Sequence, residues 1–98
     1  MRIHIVFLGI LALGAANPAF AQGADVANLA TSCAACHGAN SNGAGAVPGL
    51  RGKPQSVLAE QLKAFKAGTR PSTVMTRFAK GYTDDEIAGL ALHFSRLK

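Results

Sequence analysis

Apolar residues recur three or four positions apart in three segments of this chain, and each segment predicts an amphipathic helix. The first runs from about Asp25 to Cys36, the second from about Gln55 to Ala67, and the third from Thr83 to about Leu97. Their apolar faces are Val26, Leu29, Ala30 and Cys33 in the first, Leu58, Leu62 and Phe65 in the second, and Ile87, Leu90, Ala91, Phe94 and Leu97 in the third. Since no stretch alternates as a strand does, the pattern predicts a small all-α domain.

Residues at the ends of these segments favour the same boundaries. Asp25 can cap the first helix, and Gly68 is a natural end for the second. Thr83 and Glu86 have the spacing of a capping box, and the acidic residues of that turn lie at the positive end of the third helix. The remaining stretches are predicted to be loops or short turns.

The first 21 residues have the organisation of a secretory signal peptide. Arg2 provides a positive start, residues 5–16 are apolar, Asn17-Pro18 interrupts the run, and Ala19-Phe20-Ala21 matches the cleavage pattern. The apolar run is too short to span a bilayer comfortably. We therefore expect cleavage after Ala21, a mature domain of residues 22–98, a periplasmic location and no stable membrane span after cleavage. Retention of the segment as an anchor is the alternative.

The most specific motif in the chain is Cys33-Ala34-Ala35-Cys36-His37. Cys-x-x-Cys-His is the attachment sequence for a c-type haem. Residues three apart share a helix face, so both thiols can reach the vinyl groups on one porphyrin edge. The next residue is then carried under the ring, where its imidazole can bind iron. The motif predicts one haem c, attached to Cys33 and Cys36 and bound axially by His37.

Three other kinds of site use a similar cysteine pair. A redox dithiol usually accompanies a βαβ pattern, which this chain lacks. A zinc site needs further ligands, and there is no second cysteine pair. A structural disulfide between residues so close would constrain little of the chain. Haem attachment is therefore the favoured interpretation.

A covalently bound haem would also supply an interior that this short chain lacks. Residues 22–98 are near the size at which a domain struggles to bury enough core, and the chain has no Trp and one Tyr. Burial of roughly 500 Å² of apolar surface on the haem, at about 25 cal/mol/Å², would contribute about 12 kcal/mol. We therefore expect the chain without haem to be largely unfolded.

Met75 is the predicted second axial ligand. It is the only methionine left once Met1 is removed, and it lies in the stretch Arg70–Thr76, predicted to be irregular. The alternatives are that Met75 fills a gap in the core, or that His93, beside the apolar face of the third helix, binds the iron. Ligation by His37 and Met75 raises the reduction potential and occupies both axial positions, which favours electron transfer over catalysis.

Residues around the predicted haem have weaker assignments. The glycine-rich stretch Gly38–Lys53 is either a flexible connector or a loop that passes close to the porphyrin, and its position directly after His37 favours the second. The Pro48 carbonyl can accept a hydrogen bond from the ring of His37. Arg51 and Arg70 can bind the haem propionates, or they can face solvent.

Basic residues are concentrated in the middle of a chain whose formal charge is +5. From Arg51 to Lys80 there are seven basic residues and one acid, Glu60. This block predicts either a solvated face or a positive rim that steers an acidic redox partner. Nucleic acid is not an expected partner, because the chain is predicted to be exported and stacking aromatics are scarce.

These features together resemble the class I c-type cytochromes. The matching elements are Cys33–His37, Val47-Pro48-Gly49-Leu50, the run from Gln61 to Arg70 with Phe65 and Gly68, Met75, and the helix from Ala88 to Phe94. The resemblance implies the small class I cytochrome c fold, with helices wrapped around one covalently attached haem and the first and last helices packed together. It also implies His37 and Met75 as axial ligands and Pro48 as the partner of His37.

A narrower resemblance concerns Ser72–Tyr82, which is similar to the cytochrome subunit of flavocytochrome c sulfide dehydrogenase. In that family a flavin subunit oxidises sulfide and passes electrons to the cytochrome subunit. The resemblance implies an electron carrier without catalytic residues and a flavoprotein partner. Some members carry two haems, whereas the one cysteine pair here predicts one. His93 stands where the family usually has an aromatic residue.

Three other functions remain as alternatives. The first is a freely diffusing cytochrome c that donates electrons to a terminal oxidase or reductase. The second is a haem sensor or ligand-binding protein, which would bind carbon monoxide readily in its ferrous form. The third is a thiol oxidoreductase, which requires free thiols at Cys33 and Cys36.

Overall fold

The computed structural model describes residues 18–98, together with Gly9 and Gly14, and the side chains from Val26 onward. The described residues form four helices: α1 Pro18–His37, α2 Gln55–Ala67, α3 Met75–Lys80 and α4 Asp84–Ser95. They contain no strand, and one isolated bridge joins Ala44 to Val47. The all-α prediction is confirmed. No helix in this part of the chain is both long and apolar enough to cross a membrane.

Helix α1 begins earlier than the sequence pattern predicts. It starts at Pro18, so the prediction that Asp25 caps this helix is wrong for the chain that includes residues 18–24. Proline is favoured at the first helical position, and the alanines that follow it have high helix propensity. The predicted cleavage point after Ala21 therefore falls within α1. Most of the predicted signal peptide lies outside the described residues.

Helix α2 has the predicted boundaries. It ends at Ala67 and is capped by Gly68, whose backbone is left-handed with φ 74° and ψ 14°, a conformation that costs glycine little. The Gly68 amide donates to the Phe65 carbonyl at 3.1 Å, and the Thr69 amide donates to the Ala64 carbonyl at 3.0 Å. Leu58 is buried in the core, against which Leu62 packs.

Helix α3 was not predicted. The stretch after Arg70 is irregular through Val74, but the chain then forms a six-residue helix that begins at Met75. A helix this short provides too few positions for a periodic apolar stripe, and only Ala79 on it is fully buried. The prediction that Met75 lies in an irregular stretch is therefore wrong, because Met75 is the first residue of α3.

Helix α4 begins at the predicted capping box. The Glu86 amide donates to Thr83 Oγ1 at 3.1 Å, and the Thr83 amide donates to Glu86 Oε1 at 2.9 Å. The buried residues of α4 are Ile87, Leu90, Ala91 and Phe94, in agreement with the apolar stripe. Leu97 lies just past the end of α4, partly buried against the core.

The core lies where α1, α2 and α4 meet. Its buried members are Ala30, Leu58, Leu90, Ala91 and Phe94. Gly89 allows α4 to approach α1 closely, because a Cβ atom at this position would lie 2.7 Å from Val26 Cγ2. The first and last helices therefore pack together, as the family resemblance implies.

Candidate haem site

The two cysteines lie one turn apart near the end of α1, and neither forms a disulfide. Cys33 is half-buried, and its thiol lies 3.5 Å from the Leu29 carbonyl oxygen. Burial raises the pKa of the Cys33 thiol above its usual value. Cys36 is exposed. The helix thus presents two thiols at the spacing needed to form thioether bonds at one edge of a porphyrin.

His37 is the last residue of α1, and 8% of its surface is exposed. Its Nδ1 atom lies 2.6 Å from the carbonyl oxygen of Pro48. A carbonyl oxygen can only accept a hydrogen bond, so this contact requires the proton on Nδ1. Nε2 then keeps its lone pair and is the nitrogen able to bind a metal.

The loop after α1 folds back on itself to present Pro48. The Gly43 amide donates to the His37 carbonyl at 2.7 Å, and Ala44 and Val47 exchange two backbone hydrogen bonds of 3.0 Å. The Ser41 carbonyl accepts from the Leu50 amide at 2.8 Å. These bonds anchor the loop on both sides of Pro48.

Ser41 contributes to this loop in a way that the sequence analysis missed. It is buried and has a positive φ of 58°, which is uncommon for a residue other than glycine. The sequence pattern does not indicate this conformation, because it depends on the hydrogen bonds that the loop makes with itself.

Met75 is half-buried at the start of α3, on a different element from His37. Ser72 supports the adjoining turn: its Oγ accepts from the Thr76 amide at 3.0 Å and lies 2.9 Å from Thr76 Oγ1. The contact satisfies one of the amides at the start of the helix that have no partner within it. Sequence analysis missed this role of Ser72, because the N-cap residue of α3 is Val74 and Ser72 lies two residues before the position at which serine usually caps a helix.

The remaining candidate residues make other contacts. Arg51 Nη1 donates to the Asn40 carbonyl at 3.2 Å. The Arg70 guanidinium carbon lies 5.2 Å from the centre of the Phe65 ring. A guanidinium has five N–H donors, so both arginines keep donors for a carboxylate. The His93 ring meets that of Phe94 edge-on, with centroids 5.1 Å apart.

These side chains fit a haem better than a bare metal ion. The described residues contain no group of three His, Cys, Asp or Glu side chains close enough to hold a metal. A porphyrin supplies four nitrogen ligands of its own, so that the protein needs to add only axial ligands and points of attachment. Two unpaired thiols and a buried imidazole with Nε2 available suit that requirement at the end of α1, and the Met75 thioether on α3 is of a ligand type that haem iron accepts.

The fold and this set of side chains define a small helical haem-binding domain. A sequence model described as "Cytochrome c" matches residues 20–98. The chain belongs to the cytochrome c family. Covalent haem c and electron transport follow from this membership, and the single cysteine pair accommodates one haem. Residues 20–98 therefore form a cytochrome c domain that carries one haem c and transfers electrons.

Known proteins of several kinds are similar to this chain. It is 45% identical to the cytochrome subunit of sulfide dehydrogenase from Chlorobaculum tepidum, over 70% of this chain and 63% of that protein. It is 42% identical to the thiosulfate dehydrogenase electron acceptor of Thiomonas intermedia, over 70% of this chain and 33% of that protein. It is 37% identical to cytochrome c-553 of Helicobacter pylori strain J99, over the full length of both.

A solved structure has a similar fold. Cytochrome c4 of Acidithiobacillus ferrooxidans superposes with a TM-score of 0.65 at 36% identity, over 67% of this chain and 38% of that one. The chain thus spans less than two thirds of this structure and of the two sulfur-related relatives.

Proposed function

We propose that this protein is the cytochrome subunit of a periplasmic flavocytochrome c sulfide dehydrogenase and accepts single electrons from a flavoprotein subunit. The support for this role is the 45% identity to the cytochrome subunit of sulfide dehydrogenase. A second relative is named for electron acceptance from thiosulfate oxidation, which is related chemistry. In this proposal residues 1–21 are a signal peptide, and residues 22–98 are the exported domain.

The proposed haem site consists of four side chains. Cys33 and Cys36 would form the thioether bonds, and His37 Nε2 and Met75 Sδ would bind the iron. When bound, haem c supplies an iron that gains and loses one electron. The main support for this site is the 2.6 Å contact between His37 Nδ1 and the Pro48 carbonyl, because it leaves Nε2 as the ring nitrogen that is available to bind iron.

The protein's own residues prepare this site in two ways. Burial and the hydrogen bond to Pro48 hold the His37 ring in one tautomer and one orientation. The Met75 thioether would be the second ligand of the iron and would so exclude small exogenous ligands. In the proposed arrangement Arg51 and Arg70 use their remaining donors to bind the haem propionates.

A basic surface on α2, α3 and the segment between them suits an acidic partner. We define the basic rim as the exposed residues Lys63, Arg70, Arg77 and Lys80. The one salt bridge among the described residues joins Lys66 to Asp84 at 3.3 Å, so no carboxylate of this part of the chain pairs with the rim. Positive charge without local compensation accelerates association with a negatively charged surface.

Two apolar side chains accompany the basic rim. Val74 and Phe78 lie one helical turn apart at α3, with 46% and 53% of their surfaces exposed. Apolar side chains surrounded by charge are common in protein interfaces, where the charges direct the encounter and the apolar residues provide contact area. In this proposal the flavoprotein subunit presents an acidic surface to the rim and to Phe78.

The proposed role is tested by producing the haem-loaded protein together with a sulfide-oxidising flavoprotein subunit. We expect a complex of fixed stoichiometry and reduction of the ferric cytochrome on addition of sulfide. Replacing Arg77 and Lys80 by Gln slows this reduction at low ionic strength and weakens its dependence on salt. Replacing Lys98, which lies outside the rim, is the control. Absence of both a complex and sulfide-dependent reduction contradicts the role.

A freely diffusing carrier is the second candidate. The cytochrome c-553 of Helicobacter pylori aligns with this chain over the full length of both proteins, whereas the match to the sulfide dehydrogenase subunit covers 63% of that subunit. A carrier of this kind would purify as a monomer and donate electrons to a terminal oxidase or reductase. Co-purification distinguishes the two functions.

A further inference from the structure

We propose that Gly43 and Gly49 are positioning residues that set the hydrogen bond between His37 and Pro48, and through it the reduction potential of the protein. The inference rests on the proposed binding of iron by His37 Nε2. It does not depend on which redox partner the protein uses.

Gly43 lies in van der Waals contact with the backbone that carries the Pro48 carbonyl. A Cβ atom at this position would be 2.7 Å from the Val47 carbonyl oxygen, 2.8 Å from the Gly49 amide nitrogen and 3.0 Å from the Pro48 carbonyl carbon. All three atoms belong to the backbone, so no side-chain rotation relieves the overlap. Alanine at residue 43 must therefore displace the peptide groups on either side of Pro48.

Gly49 makes the reciprocal contact from the other side of the loop. A Cβ atom there would be 2.8 Å from the Asn42 carbonyl oxygen and 2.9 Å from its carbonyl carbon. Residues 42–43 and 47–49 therefore pack backbone against backbone, with the bridge between Ala44 and Val47 closing the turn between them. Because neither Gly43 nor Gly49 has a side chain, these backbone segments can pack closely, and their packing sets the distance between the Pro48 carbonyl and α1.

The position of that carbonyl has an electronic consequence. The separation of 2.6 Å between His37 Nδ1 and the Pro48 oxygen is at the short end for a hydrogen bond from nitrogen to oxygen. A strong acceptor at Nδ1 increases the electron density on Nε2 and makes the imidazole a more basic ligand. A more basic ligand stabilises the ferric state over the ferrous state, so displacement of the carbonyl should raise the reduction potential.

The same loop provides a matched control. Gly43 and Gly45 both have a positive φ, of 90° and 57° respectively. At Gly45, however, no atom lies within 4 Å of the position that a Cβ atom would occupy. Gly45→Ala therefore introduces backbone strain without contact to the Pro48 region. Gly49→Ala does the opposite, because Gly49 is not left-handed and its substitution introduces the contact alone.

The test compares Gly43→Ala, Gly49→Ala and Gly45→Ala in the haem-loaded protein without any partner. The measurements are the reduction potential and the exchange rate of the His37 Nδ1 proton in the ferrous state, followed by NMR. We expect Gly43→Ala and Gly49→Ala to show a higher potential and faster exchange, with the iron–sulfur charge-transfer absorption retained. Gly45→Ala should match the wild type in both measurements.

Two results would overturn the inference. One is an unchanged potential in Gly43→Ala and Gly49→Ala; the other is an equal shift in Gly45→Ala, which would mean that loop strain alone is responsible. If Gly43→Ala does not mature, Gly49→Ala decides the question. These results can be distinguished from an error in the proposed haem site itself. In that case the wild-type protein would already lack the haem, or the axial ligation on which the comparison depends.

Discussion

At the scale of single residues, the candidate site depends on contacts from separate parts of the chain. His37 is supported by the loop that follows α1, whereas Met75 lies beside the turn formed by Ser72 and Thr76. The thiols and imidazole follow from local spacing and were predictable as a motif. The supporting contacts were less accessible to sequence analysis, because Ser41 and Gly43 act through loop hydrogen bonds and close approaches that no short pattern encodes.

Met75→Ala tests the second axial ligand. We expect loss of the iron–sulfur charge-transfer absorption, a large fall in reduction potential and ready binding of carbon monoxide to the ferrous form, because the thioether no longer occupies the axial position. Val74→Ala, which changes the exposed neighbour of Met75, is the control and should retain all three properties of the wild type. An unchanged absorption and potential in Met75→Ala would remove Met75 from the site and direct attention to His93.

The ionisation of Tyr82 should make the free energy of unfolding depend on pH in a direction that can be stated in advance. Burial is the main cause that raises the pKa of its phenol above the usual value of 10.0. The folded state therefore binds this proton more tightly than the unfolded state does. The resulting stabilisation is fully present below pH 10 and is lost as the pH rises through the raised pKa.

The measurement is the free energy of unfolding of the wild type and of Tyr82→Phe as a function of pH, both in the haem-loaded form. The difference between them should be constant below pH 10 and should then change in favour of Tyr82→Phe. Because Tyr82 is the only tyrosine, its phenolate absorption reports the pKa directly. An ionisation at or below pH 10 would contradict the expectation.

At the scale of helices, the sequence predicted the boundaries correctly where an apolar stripe and a capping residue at the end of the helix indicated the same limits. Helices α2 and α4 meet both conditions, with Gly68 at the end of the first and Thr83 at the start of the second. Helix α1 extends beyond its apolar stripe because Pro18 and the alanines after it favour helix on their own. Helix α3 is too short for a stripe, and its position depends on packing against α2.

Gly89→Ala tests the packing of α1 against α4. Alanine in a helix interior normally stabilises by up to about 1 kcal/mol relative to glycine. Here the new methyl group would lie 2.7 Å from Val26 Cγ2, and valine in a helix has one strongly preferred rotamer. We expect overpacking to prevail and to destabilise the haem-loaded protein by about 1–3 kcal/mol.

Denaturant unfolding of the haem-loaded variants measures this effect. The double variant Gly89→Ala with Val26→Ala removes the opposing methyl groups and should recover part of the lost stability. A single Gly89→Ala variant that is more stable than the wild type would show that the two helices are not in the close contact described.

At the scale of the whole molecule, the interior is small. Among the described side chains, only Ile87 and Leu90 of the larger apolar residues are essentially inaccessible, with 0% and 1% exposed. Domains of this size commonly need a bound group for stability. The Cys33→Ser, Cys36→Ser double variant, which cannot attach haem, should therefore be largely unfolded.

Circular dichroism and NMR of that double variant test the dependence on haem, with the haem-loaded wild type as the control. We expect low helix content, poor dispersion of the amide resonances and no cooperative melting transition. A dispersed spectrum with a cooperative melt would show that the polypeptide core suffices on its own.

Covalent attachment of one haem underlies every part of this account, and mass spectrometry tests it most directly. The chain of residues 1–98 is expressed in a host with a cytochrome c maturation system, and the protein is recovered from the periplasm. We expect a red protein whose mass equals that of residues 22–98 plus one haem and is unchanged by denaturation. A colourless protein with the mass of the processed polypeptide alone would contradict it.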